Sequence, residues 1–123
     1  MECSTWDLAE GDEYDLLQAS NVARLRRRIG RCEAVHFAPP CSSFSIANTV
    51  ALRHPDRPSV VAGRVLANTT ANLIEFSLRK GLIVSVENPA TSRIWSLDAF
   101  KRLSQRATII RLDFCCYKTR FKK

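Results

Sequence analysis

Leu82-Ile83-Val84-Ser85-Val86-Glu87-Asn88-Pro89 is the stretch on which the fold turns. A short apolar run stopped by a turn-forming tripeptide reads as a buried β-strand that delivers a carboxylate and an amide to its end. Immediately upstream, Val65 to Lys80 has helical periodicity, with Leu66, Leu73, Ile74 and Ser77 on one side and Gly81 placed to end it. Residues 53–64, punctuated by Pro55, Pro58 and Gly63, read as a surface loop with a turn. Before them, Ala34-Val35-His36-Phe37-Ala38 is a second apolar run, halted by Pro39-Pro40. Further back, Ser20 can cap a helix whose apolar positions Val22, Leu25 and Ile29 precede Gly30. Downstream, Ser96 can cap a short helix through Leu103, and Ala107 to Leu112 reads as a third strand. Strands alternating with helices predict an α/β fold with a mostly parallel sheet and flanking helices.

In such sheets the chemistry gathers at the carboxyl ends of the strands. The first strand runs into Pro39-Pro40-Cys41-Ser42-Ser43-Phe44-Ser45 and the second into Glu87-Asn88-Pro89. If the two are parallel neighbours, roughly 5 Å apart, a thiol and a carboxylate share one rim and can address one substrate ring.

The 123 residues, 46% of them hydrophobic and 25% charged, suit one globular domain rather than two. No apolar run approaches the roughly 20 residues of a membrane span, and the acidic first twenty residues are unlike a secretory or mitochondrial leader. Five cysteines, an odd number with one adjacent pair (Cys115-Cys116), make a poor disulfide framework and point to a reducing, intracellular setting. Charge is segregated. Residues 1–20 hold six acids and no base, so the rest of the chain carries all 19 lysines and arginines against six acids. Arg24, Arg26, Arg27, Arg28 and Arg31 form one basic cluster, and Lys118, Arg120, Lys122 and Lys123 belong to a second at the C-terminus. That balance suits a polyanionic partner, because neutralised phosphates release counterions; a solvated helix face and a basic tail account for the charge equally well.

At the two strand-end segments the chain resembles the cytosine-C5 DNA methyltransferases. Pro40-Cys41-Ser42-Ser43-Phe44-Ser45 matches that family's Pro-Cys-Gln-x-x-Ser loop except at Ser42, and Glu87-Asn88-Pro89 is similar to its Glu-Asn-Val. A divergent algal and retroelement-type group has the longer pattern Glu-Asn-Pro-x-x-Ser-x-x-Trp, which Ser92 and Trp95 fit, and a late Asp-x-Cys-x-Tyr like Asp113-Phe114-Cys115-Cys116-Tyr117. Glu10 to Leu16 looks like the segment whose acid, here Asp15, contacts the adenine of S-adenosylmethionine. The motifs stand in the family's order along nearly the whole chain. Each is weak alone, and their joint occurrence directly after two strands carries the resemblance.

The resemblance implies a partial class I methyltransferase (Rossmann-like) sheet and transfer of methyl from S-adenosylmethionine to C5 of a cytosine flipped out of DNA, with RNA as the other nucleic-acid partner. Cys41 would be the nucleophile that adds to C6, Glu87 the acid at the base edge, and Asn88 the residue that orders the loop. Asp15 and Pro40 would lie on the cofactor side, Ser45 and Arg120 on the substrate side. A helix starting after the loop, capped by Ser42 or Ser43, would favour the thiolate of Cys41. The glycine loop that holds the cofactor in the family has no counterpart in this sequence, and the chain ends where a target-recognition region would begin. Residues 1–123 therefore read as one partial catalytic domain, weak or inactive alone.

The same residues admit plainer readings. A cysteine after a buried strand is usually a small packed residue, and a glutamate before Asn-Pro can merely cap a turn. Cys32 and His36 on an extended strand lie roughly 13 Å apart, too far to share a zinc ion. Cys115 and Arg120 have the wrong spacing for a phosphatase loop. Two further readings remain: an inactive nucleic-acid-binding remnant of the domain, and a small interaction protein.

Overall fold

The computed structural model describes residues 2–112. Within them the chain forms four α-helices, α1 (Ala19–Ile29), α2 (Thr49–Arg53), α3 (Pro58–Arg79) and α4 (Asp98–Ser104), and two strands, β1 (Ala34–Phe37) and β2 (Ile83–Val86). The fold is α/β. The strands pair in parallel, Ala34 opposite Ile83 and Phe37 opposite Val86, with α2 and α3 in the crossover between them.

The core lies between the sheet and the helices. Leu25 and Ile29 from α1, Phe37 from β1, Ala67, Ala71, Leu73 and Ile74 from α3, and Phe100 from α4 form one buried cluster. Completely buried side chains of Ile or Leu size each stabilise a fold by about 1.5–3 kcal/mol, and α3, which contributes more core residues than any other element, is the central beam. Two hydroxyls on its apolar side are satisfied within the helix, Thr70 Oγ1 donating to Leu66 O (2.8 Å) and Ser77 Oγ to Leu73 O (2.7 Å).

Several elements differ from the sequence reading. Residues 53–64 are not a loop: Pro58 occupies the first turn of α3, where its missing N–H costs nothing. Gly63 lies inside that helix because Ser43 passes against it; a Cβ at 63 would stand 2.7 Å from Ser43 Cβ. α1 begins at Ala19 after Gln18, so Ser20 is inside the helix and not its cap, and Gly30 ends it in a right-handed conformation. Gly81 does close α3, at φ +75°: Gly81 N donates to Leu78 O and Leu82 N to Ser77 O, the paired bonds of a Schellman cap. Ser92, rather than Ser96, caps the next turn, a 3-10 helix at Arg93–Ser96, and α4 follows Leu97 without a side-chain cap.

The sheet is smaller than the alternation predicts. Residues 107–112 form no ladder, and Ile109 and Ile110 stand more than 70% exposed. Among the described residues only one face of the pair is covered: Val35, Phe37, Val84 and Val86 pack inward, while Ala34, His36, Ile83 and Ser85 face outward. The apolar runs expected to be buried on both sides are thus half-buried. His36 Nδ1 and Ser85 Oγ, opposite each other in the register, meet at 2.8 Å on the open face.

Candidate active site

Parallel pairing places the ends of β1 and β2 side by side, and the ladder continues past them. Glu87 N donates to Phe37 O at 2.8 Å, and Asn88 Nδ2 donates to Pro39 O at 2.8 Å. The residue after Pro40 is Cys41, a free thiol, half-buried, with φ −96° and ψ −8°. Those angles fall in the bridge region common in tight turns and at active sites. Cys41 O accepts from Phe44 N (2.9 Å), which starts a single 3-10 turn at Ser42–Phe44. Phe44, 6% exposed, sinks into the core and anchors that turn against α3.

Beyond the turn the loop folds back on itself. Asn48 Nδ2 donates to Ser42 O (2.9 Å), while its Oδ1 accepts from Ala51 N (3.1 Å) and so caps α2. Ser45 Oγ accepts from Ala47 N (3.2 Å), and Ser43 Oγ donates to Ser59 O (3.4 Å). The second loop then reaches across again, with the half-buried guanidinium of Arg93 donating to Asn48 O at 3.2 Å. The segment carrying Cys41 is therefore pinned by the 87–96 loop on both sides, by Asn88 at Pro39 and by Arg93 at Asn48.

The 87–96 loop is itself fixed. Ser92 N and Trp95 Nε1 both donate to Pro89 O, at 2.9 Å each, and Ser92 Oγ accepts from Ile94 N (3.3 Å). Ile94 is fully buried beneath the loop, and Trp95 meets Phe100 edge to face at 6.0 Å. The Ser-x-x-Trp spacing thus serves to stiffen this loop from within. Asn48 and Arg93 were not among the residues singled out from sequence. Asn48, two residues before the apolar run Val50-Ala51-Leu52, has the form of an N-cap, which is a signal the sequence contains; the Arg93 contact joins residues 45 apart and has no local signature.

The proposed residues are not all brought together. Cys41, Pro40, Ser45, Glu87 and Asn88 share the rim, with Glu87 and Pro40 exposed and Ser45 half-buried. The Oδ1 of Asn88 is buried and has no hydrogen-bond partner among the described residues, a state that costs about 1–3 kcal/mol for a typical polar atom. Asp15 Oδ1 accepts from Leu17 N (2.9 Å) and its carbonyl from Asn21 Nδ2 (2.9 Å), so it builds the turn leading into α1. No described hydrogen bond links it to the rim. Arg120 and Cys115-Cys116 lie outside the described residues. The α-helix expected to begin at Ser42 or Ser43 is only the 3-10 turn, with no side-chain cap, so no helix macrodipole acts on Cys41 there.

Among the described residues no cluster of His, Cys, Asp and Glu suits a metal ion, and no helix is long and apolar enough to cross a membrane. No family model, no curated protein and no solved structure matches the chain.

Proposed function

We propose that the rim formed by Cys41 and Glu87 is a nucleophilic site for a pyrimidine ring, of the kind cytosine-C5 methyltransferases use. What supports this reading is the double pinning of the Cys41 segment by Asn88 and Arg93. A packed structural cysteine needs no such frame, whereas a thiolate that must meet a ring carbon does, because near-attack geometry requires reacting atoms within about 3.5 Å.

In this reading the Cys41 thiolate adds to C6 of cytosine, forming the S–C6 bond as the ring electrons shift toward N3. Glu87 hydrogen-bonds the base edge and favours a protonated N3, which draws electrons away from C6. The resulting enamine is nucleophilic at C5. With water as the only electrophile, C5 takes a solvent proton, loses its original hydrogen, and the S–C6 bond breaks to restore cytosine and thiolate. The glycine loop that holds the methyl donor in that family has no counterpart in the sequence, so the chain alone is expected to catalyse hydrogen exchange, with methyl transfer weak or absent.

The test is release of tritium to water from single-stranded DNA labelled at cytosine C5. The wild-type chain should release it, Cys41→Ser should fall to background, and Glu87→Gln should be slower by about 10²-fold. Cys115→Ser and Cys116→Ser should retain the rate. Release that survives Cys41→Ser would remove the nucleophile from this assignment.

A further inference from the structure

The basic residues of α1 do not stand at the rim. Arg31 follows the C-terminus of α1 and Lys80 caps the C-terminus of α3, so both sit where β1 and β2 begin. The Cys41 segment lies beyond the other end of the strands, which at four residues each span about 13 Å. At the amino end, an open concavity of about 550 Å³ is lined by Arg26, Arg27, Arg31, Phe76 and Lys80. The Arg26 guanidinium stacks over Phe76 at 4.4 Å, and Lys80 Nζ lies 5.8 Å from the same ring. Among the described residues, none of these four cations pairs with a carboxylate; the ion pairs present join Glu75 to Arg79 and Arg106.

We infer that this concavity is a second, phosphate-reading surface that binds the backbone of a nucleic acid independently of the rim. Two helix C-termini meet here, and their dipoles contribute roughly −0.5 charge each. Four cations exceed that fourfold, so capping of helix ends does not account for them. Arg27, in the last turn of α1, and Arg31, just past its C-terminus, are both exposed and both line the concavity, which lets them take neighbouring phosphates. Arg26 is held in place by its ring, which leaves its outward N–H groups oriented toward a partner. The one aromatic ring here is already stacked on by Arg26 and flanked by Lys80, so the surface is suited to phosphates more than to bases.

This inference does not rest on the chemistry proposed for Cys41, and the two fail separately. Affinity of the full chain for a labelled DNA duplex is measured from 50 to 200 mM salt by fluorescence anisotropy, with Cys41→Ser as a rim control. Each neutralised phosphate steepens the log–log salt dependence by about 0.9. The variant Arg27→Gln/Arg31→Gln should therefore have a slope shallower by about 1.8, and should lose about 12-fold less affinity than wild type across that salt range. Arg27→Lys/Arg31→Lys, which keeps the charges, should restore the wild-type slope, and Cys41→Ser should leave it unchanged. Because both arginines are exposed, circular dichroism of the glutamine variant should match wild type. An unchanged slope in that variant overturns the inference. So does an equal loss on replacing Arg53 and Arg57, outside the concavity, or equal affinity for polyglutamate of the same charge.

Discussion

At the carboxyl ends of β1 and β2, amides and one guanidinium are committed to backbone carbonyls, at Pro39, Ser42 and Asn48. At the amino ends of the same strands, four cations face an open concavity with no carboxylate paired to them among the described residues. The first arrangement fixes positions to within a hydrogen bond and adds little net charge. The second fixes few positions and concentrates charge. Chemistry on one atom needs the first kind of surface, while attachment to a uniform polyanion is served by the second. The two ends of a four-residue strand pair are therefore suited to different tasks, and the same perturbation should affect them unequally.

The largest expected effect comes from Ile94, which is completely buried under the 87–96 loop. Ile94→Ala should cost about 2–5 kcal/mol, since the cavity left behind collapses only in part. That is a large share of the roughly 5–15 kcal/mol by which a domain is stable. The thermal midpoint should fall by on the order of 10–20 °C. Below that midpoint tritium release should be impaired while the salt slope of DNA binding stays as in wild type. Equal loss of both would mean that the two ends are one cooperative unit without separate function.

How much of this was legible in the sequence follows from how local each signal is. Both strands, the parallel order, and the placement of Cys41 and Glu87 at adjacent strand ends came from apolar runs and the Pro-Pro and Asn-Pro stops that bound them. The Gly81 cap was legible because it is completed within a few residues. α3 was read seven residues short: Pro58 and Gly63 are turn residues in most contexts, and only the approach of Ser43 explains a glycine inside that helix. The third strand failed for a related reason. Residues 107–112 have the composition of a strand, yet composition does not provide a partner, and the described sheet stops at β2. Asp15 enters by resemblance alone, and its hydrogen bonds with Leu17 and Asn21 belong to the turn before α1.

A matched pair of glycine substitutions sharpens the contrast between the ends. Gly63→Ala places a Cβ 2.4 Å from Ser43 Oγ and 2.7 Å from its Cβ, so the 3-10 turn after Cys41 must move. Overpacking of this kind costs about 1–3 kcal/mol, offset by about 1 kcal/mol of helix propensity. Gly81→Ala meets open space and suffers only the left-handed backbone at φ +75°, a penalty of about 1–2 kcal/mol. In chemical denaturation the two variants should be destabilised by similar amounts, near 1 kcal/mol. Only Gly63→Ala should slow tritium release when both are assayed fully folded. Equal rates would show that the position of the 3-10 turn does not matter to Cys41.

The smallest effect concerns the one place toward the C-terminal end of α3 where charge is compensated. Glu75 accepts from Arg106 Nη1 with both carboxylate oxygens, at 2.9 and 3.0 Å, and from Arg79 Nε at 3.2 Å. The Arg106 hydrogen bond, more than that of Arg79, holds the Glu75 carboxyl below its ordinary range. A carboxylate with a depressed folded-state pKa stabilises the fold above its unfolded pKa and loses that contribution as pH falls through the folded value. The group is solvent-exposed, so screening keeps the contribution small. Glu75→Gln should lower the thermal midpoint by at most a few degrees near pH 7. That difference should shrink with added salt and vanish in acid, below the ordinary carboxylate range, where the wild-type residue is itself protonated. The same substitution frees Arg79 and Arg106, adding positive charge to α3, and should steepen the salt dependence of DNA binding slightly if that side of the helix also faces the polyanion. A steeper slope would widen the phosphate-reading surface across α3, and an unchanged slope would confine it to the Phe76 concavity.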